Sequence, residues 1–292
     1  MLILALTAVI SVVAGLLAWL LARRWPRVDP AAPKIPSKAI EDLAQRHRGF
    51  NEFILSRFDP SVSTGFALGA AIVVLVVGSV GIALLLVMIR SHSGLARFDL
   101  SASRFGAKHA SALSTTLLNA LSQLGGAYVV IPATILVGVV ETRRLRSPSV
   151  FGFLLAVVAG QFLASSLTKS LVGRARPNID RLAGFSGSSF PSGHATTAAA
   201  CLAAFALVIG RRRSLRFRTI LTGVAVGLAV AIALSRVWLG VHWLTDVLGG
   251  LVLGWTWFTI CSIAFGGSRL RFGTPLEVAV QIPGKESRQP SD

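Results

Sequence analysis

The chain has 292 residues, is 53% apolar and only 14% charged, and carries a formal net charge of +17. Soluble domains run at about 25% charged residues, so this composition excludes an ordinary soluble protein and points to a membrane protein. The positive charge sits in short loops between apolar runs, which fits topology signals and anionic lipid headgroups and argues against nucleic acid as a partner.

A helix that crosses a bilayer takes about 20 mostly apolar residues. Seven stretches qualify: 2–22, 66–89, 118–140, 149–168, 193–210, 219–236 and 243–265. Backbone amides in lipid must be satisfied within the segment, so each is read as a helix. The first run competes between signal peptide and anchor. It lacks a positive leading region and is followed by Arg23, Arg24 and Arg27, a charge order that favours an uncleaved anchor with its N-terminus outside. Residues 23–65 form the longest polar stretch. Its Pro-rich start, Asp29 to Pro36, reads as a linker. Ile40, Leu43, His47, Phe50 and Ile54 then recur at helical spacing, which suggests an amphipathic helix on the membrane surface. Residues 90–117 form a second polar connection and a candidate cap. The third span is the weakest, interrupted by Asn119, Gln123 and Pro132. Cys201 and Cys261 lie inside apolar runs, so neither a disulfide nor a thiolate metal site follows.

Seven crossings place 23–65, 141–148, 211–218 and the tail on one face, with 20 of the 29 Lys and Arg residues. The face that carries 90–117, 169–192 and 236–242 holds the other nine. Positive charge marks the cytoplasm, so the second face is expected to look outward.

Three polar clusters lie on that outward face. Lys169 ends one span, and Arg176-Pro177 follows seven residues on. An Arg fork and a Lys point charge both suit phosphate oxygens, although basic residues at span ends often only snorkel. Pro191-Ser192-Gly193-His194 opens the next apolar run. Ser192 is a good N-cap, and amides at a helix start bind phosphate. The third cluster is Ser235-Arg236, then His242 and Asp246, which are four apart and so on one helix face. A carboxylate on one ring nitrogen leaves the other free to attack. Arg236 lies at membrane depth, where a bound phosphate is a natural partner. The alternative for this cluster is a structural Arg–Asp or His–Asp pair.

Taken together, Lys-x6-Arg-Pro, Pro-Ser-Gly-His and Ser-Arg-x5-His-x3-Asp resemble the pattern of the type 2 phosphatidic acid phosphatase family, integral-membrane lipid phosphatases related to vanadium haloperoxidases. The resemblance covers about residues 66–265. It implies an all-α polytopic membrane protein with a six-helix catalytic core and one extra N-terminal transmembrane helix. The organisation expected is an anchor over 1–22, a cytoplasmic linker with an amphipathic helix over 23–65, the core over 66–265 and a cytoplasmic tail over 266–292. The resemblance assigns His242 as the nucleophile that forms a phosphohistidine, Asp246 as its orienting carboxylate and His194 as the general acid. It assigns Lys169, Arg176, Arg236, Ser192 and the Gly193 amide to the phosphoryl oxygens. No cofactor is expected, and turnover is expected without a metal. The partners are a phosphorylated lipid and the bilayer: phosphatidic acid, phosphatidylglycerol phosphate or a polyprenyl diphosphate, met on the extracytoplasmic side of a bacterial plasma membrane. Arg174 and Arg181 are left as headgroup or structural charges. Two rival readings keep the sequence: a phosphotransferase or haloperoxidase-like enzyme on the same fold, and a non-catalytic transporter.

Overall fold

A computed structural model describes residues 1–24, 63–178 and 187–267. Among them are nine α-helices, for which the chain supplies long apolar runs bounded by polar turns. They are α1 (Leu2–Arg24), α2 (Ser63–Arg90), α3 (Arg97–Lys108), α4 (Ala112–Gln123), α5 (Ala127–Leu145), α6 (Ser149–Val172), α7 (Gly193–Gly210), α8 (Leu215–Trp238) and α9 (Leu244–Gly267). Six are long and apolar enough to cross a membrane, namely α1, α2, α6, α7, α8 and α9. The protein is an integral, multi-pass membrane protein of the all-α class.

The weak third span is a bent pair. α4 and α5 meet at 43° across a short break, and together they are long enough for one crossing. The break falls at Leu124, Gly125 and Gly126, with Asn119 inside α4 and Pro132 inside α5. Pro132 stands in the second turn of α5 and has no amide to give the helix there. At the break Gly125 abuts another backbone, with no room for a side chain: a Cβ there would stand 2.9 Å from His194 O and 2.8 Å from Ile232 Cγ2. The predicted amphipathic helix within 37–58, His47, Gly65, Gly69, Arg181 and the tail lie outside the residues whose side chains are described.

α7 is the central helix. It packs against α9, α8 and α6 and offers them a surface of alanines, with Ala195, Ala198, Ala199, Ala200 and Ala204 all buried. Small residues let backbones approach where lipid provides no hydrophobic drive between helices. α9 answers with Gly250, where a Cβ would come 2.7 Å from Ser192 O and 2.9 Å from Ala195 Cβ. α1 lies along α8 and is more than a tether: a Cβ on Gly15 would stand 2.7 Å from Gly223 O, and one on Gly227 2.9 Å from Ser11 O. Near the chain start Trp238 Nε1 donates to Thr7 Oγ1 at 2.9 Å. Trp238 is a core residue. At the opposite end Arg144 Nη2 donates to the carbonyls of Ile209 and Arg211, each at 3.1 Å, which closes the C-terminal end of α7.

Candidate active site

His242 stands in the short turn between α8 and α9 and is 2% exposed. Gly240, with φ of 67°, reverses the chain there, and the amides of Val241 and His242 both donate to Arg236 O, at 3.3 and 3.2 Å. Asp246 follows in the first turn of α9. Its Oδ2 lies 3.5 Å from His242 Nδ1, within ion-pair range but short of a hydrogen bond. Arg176, from the connection after α6, donates from Nη1 to Val241 O at 2.8 Å and stands 3.2 Å from His242 Nε2. A guanidinium has donors only. Nε2 therefore meets it through its lone pair, and the ring proton belongs on Nδ1, facing Asp246. Burial holds the His242 pKa down to about 4, with Asp246 pulling the other way and Arg176 and Arg236 reinforcing the drop. The imidazole is uncharged at neutral pH.

The start of α7 faces this dyad. Ser192 occupies the N-cap position with extended backbone, φ −68° and ψ 114°. It does not cap with its side chain, as the sequence suggested. Its Oγ is buried without a partner, while its amide donates to Asp246 O at 3.0 Å and ties α7 to α9. A Cβ on Gly193 would lie 3.5 Å from Lys169 Nζ, so the ammonium at the end of α6 reaches the first turn of α7. His194 is within electrostatic range of Arg236, His242, Lys169 and Arg176. A Cβ on Gly126 would stand 3.6 Å from its Nε2, so the α4–α5 break passes beside the ring. Arg236 is 5% exposed; its Nη1 donates to Ser122 Oγ at 2.6 Å, while its Nε has no partner.

All eight predicted residues thus gather at one end of the bundle. They provide an imidazole with a lone pair directed at a cation, a carboxylate behind it, a second imidazole, and donors from Lys169, Arg176, Arg236 and the start of α7. Such a set can hold a tetrahedral oxyanion beside a neutral nitrogen nucleophile. Among the described residues, no three His, Cys, Asp or Glu side chains cluster as a metal site.

Sequence reasoning missed the ring behind the dyad. Arg174 Nη1 donates to Asp246 Oδ1 at 2.5 Å and to Thr245 Oγ1 at 2.8 Å, and its Nη2 donates to Asp99 Oδ2 at 2.7 Å. Asp99, 5% exposed, also accepts from the Thr245 amide at 2.8 Å and from its hydroxyl at 2.7 Å. The Ser189 hydroxyl and the Trp243 amide donate to Asp246 Oδ2. The 90–117 connection therefore reaches under the site through Asp99, where a cap was expected. Asp99 is the one acid in that connection, the signal that could have marked it. His109 bonds Phe105 O at 2.9 Å and serves the end of α3, whereas His92 is exposed. Ser235 Oγ bonds Ile232 O at 2.7 Å and is structural.

Residues 149–269 match the PAP2 superfamily; that stretch runs through α6, α7, α8 and α9 and holds all three clusters. A lipid A 1-phosphatase of Rhizobium johnstonii is 32% identical over 148 residues, 45% of this chain and 57% of that protein. Phosphatidylglycerophosphatase B of Bacillus subtilis is 30% identical over 141 residues, 47% of this chain and 68% of that protein. The chain therefore spans little more than half the length of the first of these and about two thirds of the second. The crystal structure of a transmembrane PAP2-type phosphatidylglycerolphosphate phosphatase from Bacillus subtilis superposes with a TM-score of 0.59 at 25% identity, covering 64% of this chain and 92% of that one.

Proposed function

The chain belongs to the PAP2 superfamily, and from that premise we propose that it hydrolyses a lipid phosphomonoester or diphosphate through a phosphohistidine. The observation that carries the reading is His242 itself: its Nε2 lone pair meets Arg176 at 3.2 Å while its Nδ1 faces Asp246 at 3.5 Å.

In this reading Nε2 of neutral His242 attacks phosphorus. The bond from phosphorus to the lipid oxygen breaks as His194, in its protonated form, gives a proton to that oxygen. Asp246 balances the imidazolium that results. His194, now neutral, takes a proton from water; the water oxygen attacks the phosphohistidine, inorganic phosphate leaves and His242 is restored. Lys169, Arg176, Arg236, Ser192 and the Gly193 amide hold the phosphoryl oxygens throughout. Transfer of this kind has a loose transition state, so positioning and fixed positive charge supply most of the rate. The scheme uses no metal. The lipid headgroup enters at the end of the bundle that carries fewer basic residues, on the extracytoplasmic side of a bacterial plasma membrane.

The test is phosphate release by purified protein in detergent, with EDTA present, across phosphatidic acid, phosphatidylglycerol phosphate, lipid A 1-phosphate and a polyprenyl diphosphate. Turnover of at least one is expected, with loss on His242→Ala. A His242→Ala protein that keeps full activity on the best substrate would refute the assignment.

A further inference from the structure

We propose that Asp99 and Arg174 form a buried positioning pair that sets the orientation and proton affinity of Asp246, and through it the nucleophilicity of His242. The proposal rests on the phosphohistidine reading above and adds a role for two residues that are not among the fixed positions of its three motifs.

The Asp246 carboxylate receives three hydrogen-bond donors and faces the imidazole. Arg174 takes Oδ1 at 2.5 Å. Oδ2 accepts from the Ser189 hydroxyl and from the Trp243 amide at 2.9 Å, and faces His242 Nδ1 at 3.5 Å. Arg174 is therefore the fixed charge on the far side of the carboxylate from the imidazole. A planar fork fixes direction as well as charge, and here it spans two acids: Nη1 on Asp246 and Nη2 on Asp99. Asp99 is itself anchored on α9 through the Thr245 amide and hydroxyl, one residue before Asp246. These bonds tie α3, on which Asp99 lies, to the first turn of α9. The ring Asp99–Arg174–Asp246–Thr245 is closed, and Asp246 is its member that faces His242. Second partners of this sort fix the orientation and basicity of an imidazole and cost about tenfold to a hundredfold in activity when removed.

Electrostatics gives the two members opposite effects. The charged or titratable groups around His242 and Asp246 are Lys169 on α6, Arg174 and Arg176 on the next connection, His194 on α7 and Arg236 on α8, with Asp246 itself in the first turn of α9 and His242 in the turn before it. Asp99 balances Arg174. Its neutralisation leaves the cation free to polarise Asp246, so the imidazole protonates less readily. Loss of Arg174 gives Asp246 wholly to His242, so the imidazole protonates more readily.

The experiment measures pH profiles of kcat and kcat/KM for the wild type, Asp99→Asn, Arg174→Lys, Arg174→Ala and His242→Ala on the best lipid phosphate. Folding is followed by detergent size-exclusion and thermal melting. His242→Ala is expected to abolish turnover. Asp99→Asn should lower kcat about tenfold or more and move the acid limb of kcat/KM to lower pH. Arg174→Ala should move that limb to higher pH, by roughly half a unit or more, and regain rate with millimolar guanidinium. Arg174→Lys keeps the charge and should lose kcat with the limb in place. If Asp99→Asn does not fold, the two Arg174 variants carry the same test. The proposal is overturned if the folded variants keep kcat within about twofold of wild type, or if the acid limbs of Asp99→Asn and Arg174→Ala stay still or shift together. Full turnover by His242→Ala would overturn the reading beneath it as well.

Discussion

Gly250→Ala is expected to damage catalysis without touching a catalytic side chain. The new Cβ would stand 2.7 Å from Ser192 O, 2.9 Å from Ala195 Cβ and 3.2 Å from the Thr196 amide nitrogen. Two of these are backbone and the third is a methyl on the same turn, so no flexible side chain can swing aside. Ordinary contact begins at 3.4 Å, so the start of α7 must retreat from α9 by about 0.7 Å. That motion carries Ser192, Gly193 and His194 away from His242 and Asp246 and stretches the 3.0 Å bond from the Ser192 amide to Asp246 O. Overpacking of this kind costs about 1–3 kcal/mol of stability, and a misplacement approaching 1 Å can cost about a hundredfold in rate. The expected result is a kcat lowered by about tenfold to a hundredfold, with a modest fall in thermal midpoint in detergent. Gly81→Ala is the control, since its Cβ would lie 3.5 Å from Val252 Cγ1 on the same helix; it should match wild type in both assays. A folded Gly250→Ala protein with wild-type kcat would show that the α7–α9 spacing does not set the reactive geometry.

Ser122→Ala removes the acceptor 2.6 Å from Arg236 Nη1. A hydrogen bond to a charged group contributes about 1.5–3 kcal/mol, so kcat/KM for phosphate release should fall about tenfold or more; an unchanged value would place Arg236 outside phosphate binding. pH gives a second check. Burial lowers the His242 pKa from 6.5 to about 4, so between those values the unfolded chain binds the proton and the folded one does not. Stability should therefore decline as pH falls below 6.5, and His242→Gln should flatten that part of a thermal-midpoint profile. A profile that keeps its slope in the variant would refute the assignment of that slope to His242.

The helical bundle was legible because bilayer-length apolar runs have few alternatives: predicted 193–210 and observed Gly193–Gly210 coincide. His242 and Asp246 were legible because four residues is one helical turn, and Arg236 because a cation so deep in an apolar run requires a partner. Asp99 and Arg174 were not, since a pairing across 75 positions leaves no periodic trace and each residue alone looks like a surface charge. The third span was marked as interrupted by Asn119, Gln123 and Pro132, but its bend at Gly125 and Gly126 was not foreseen, because polarity and proline are visible in a sequence while the approach of another backbone is not. The union of α1 with α8 was hidden for the same reason: Gly15 and Gly223 announce flexibility until each is seen filling the other's missing side chain.

The elbow also settles a parity. If α4 and α5 traverse the bilayer once between them, the described helices cross it seven times, and an odd number leaves Met1 and Gly267 in different compartments. Reporters attached before α1 and after α9 should then disagree, one lit and one dark, whichever compartment the headgroup site faces. A matching pair would mean that the bent helices enter and leave by the same side.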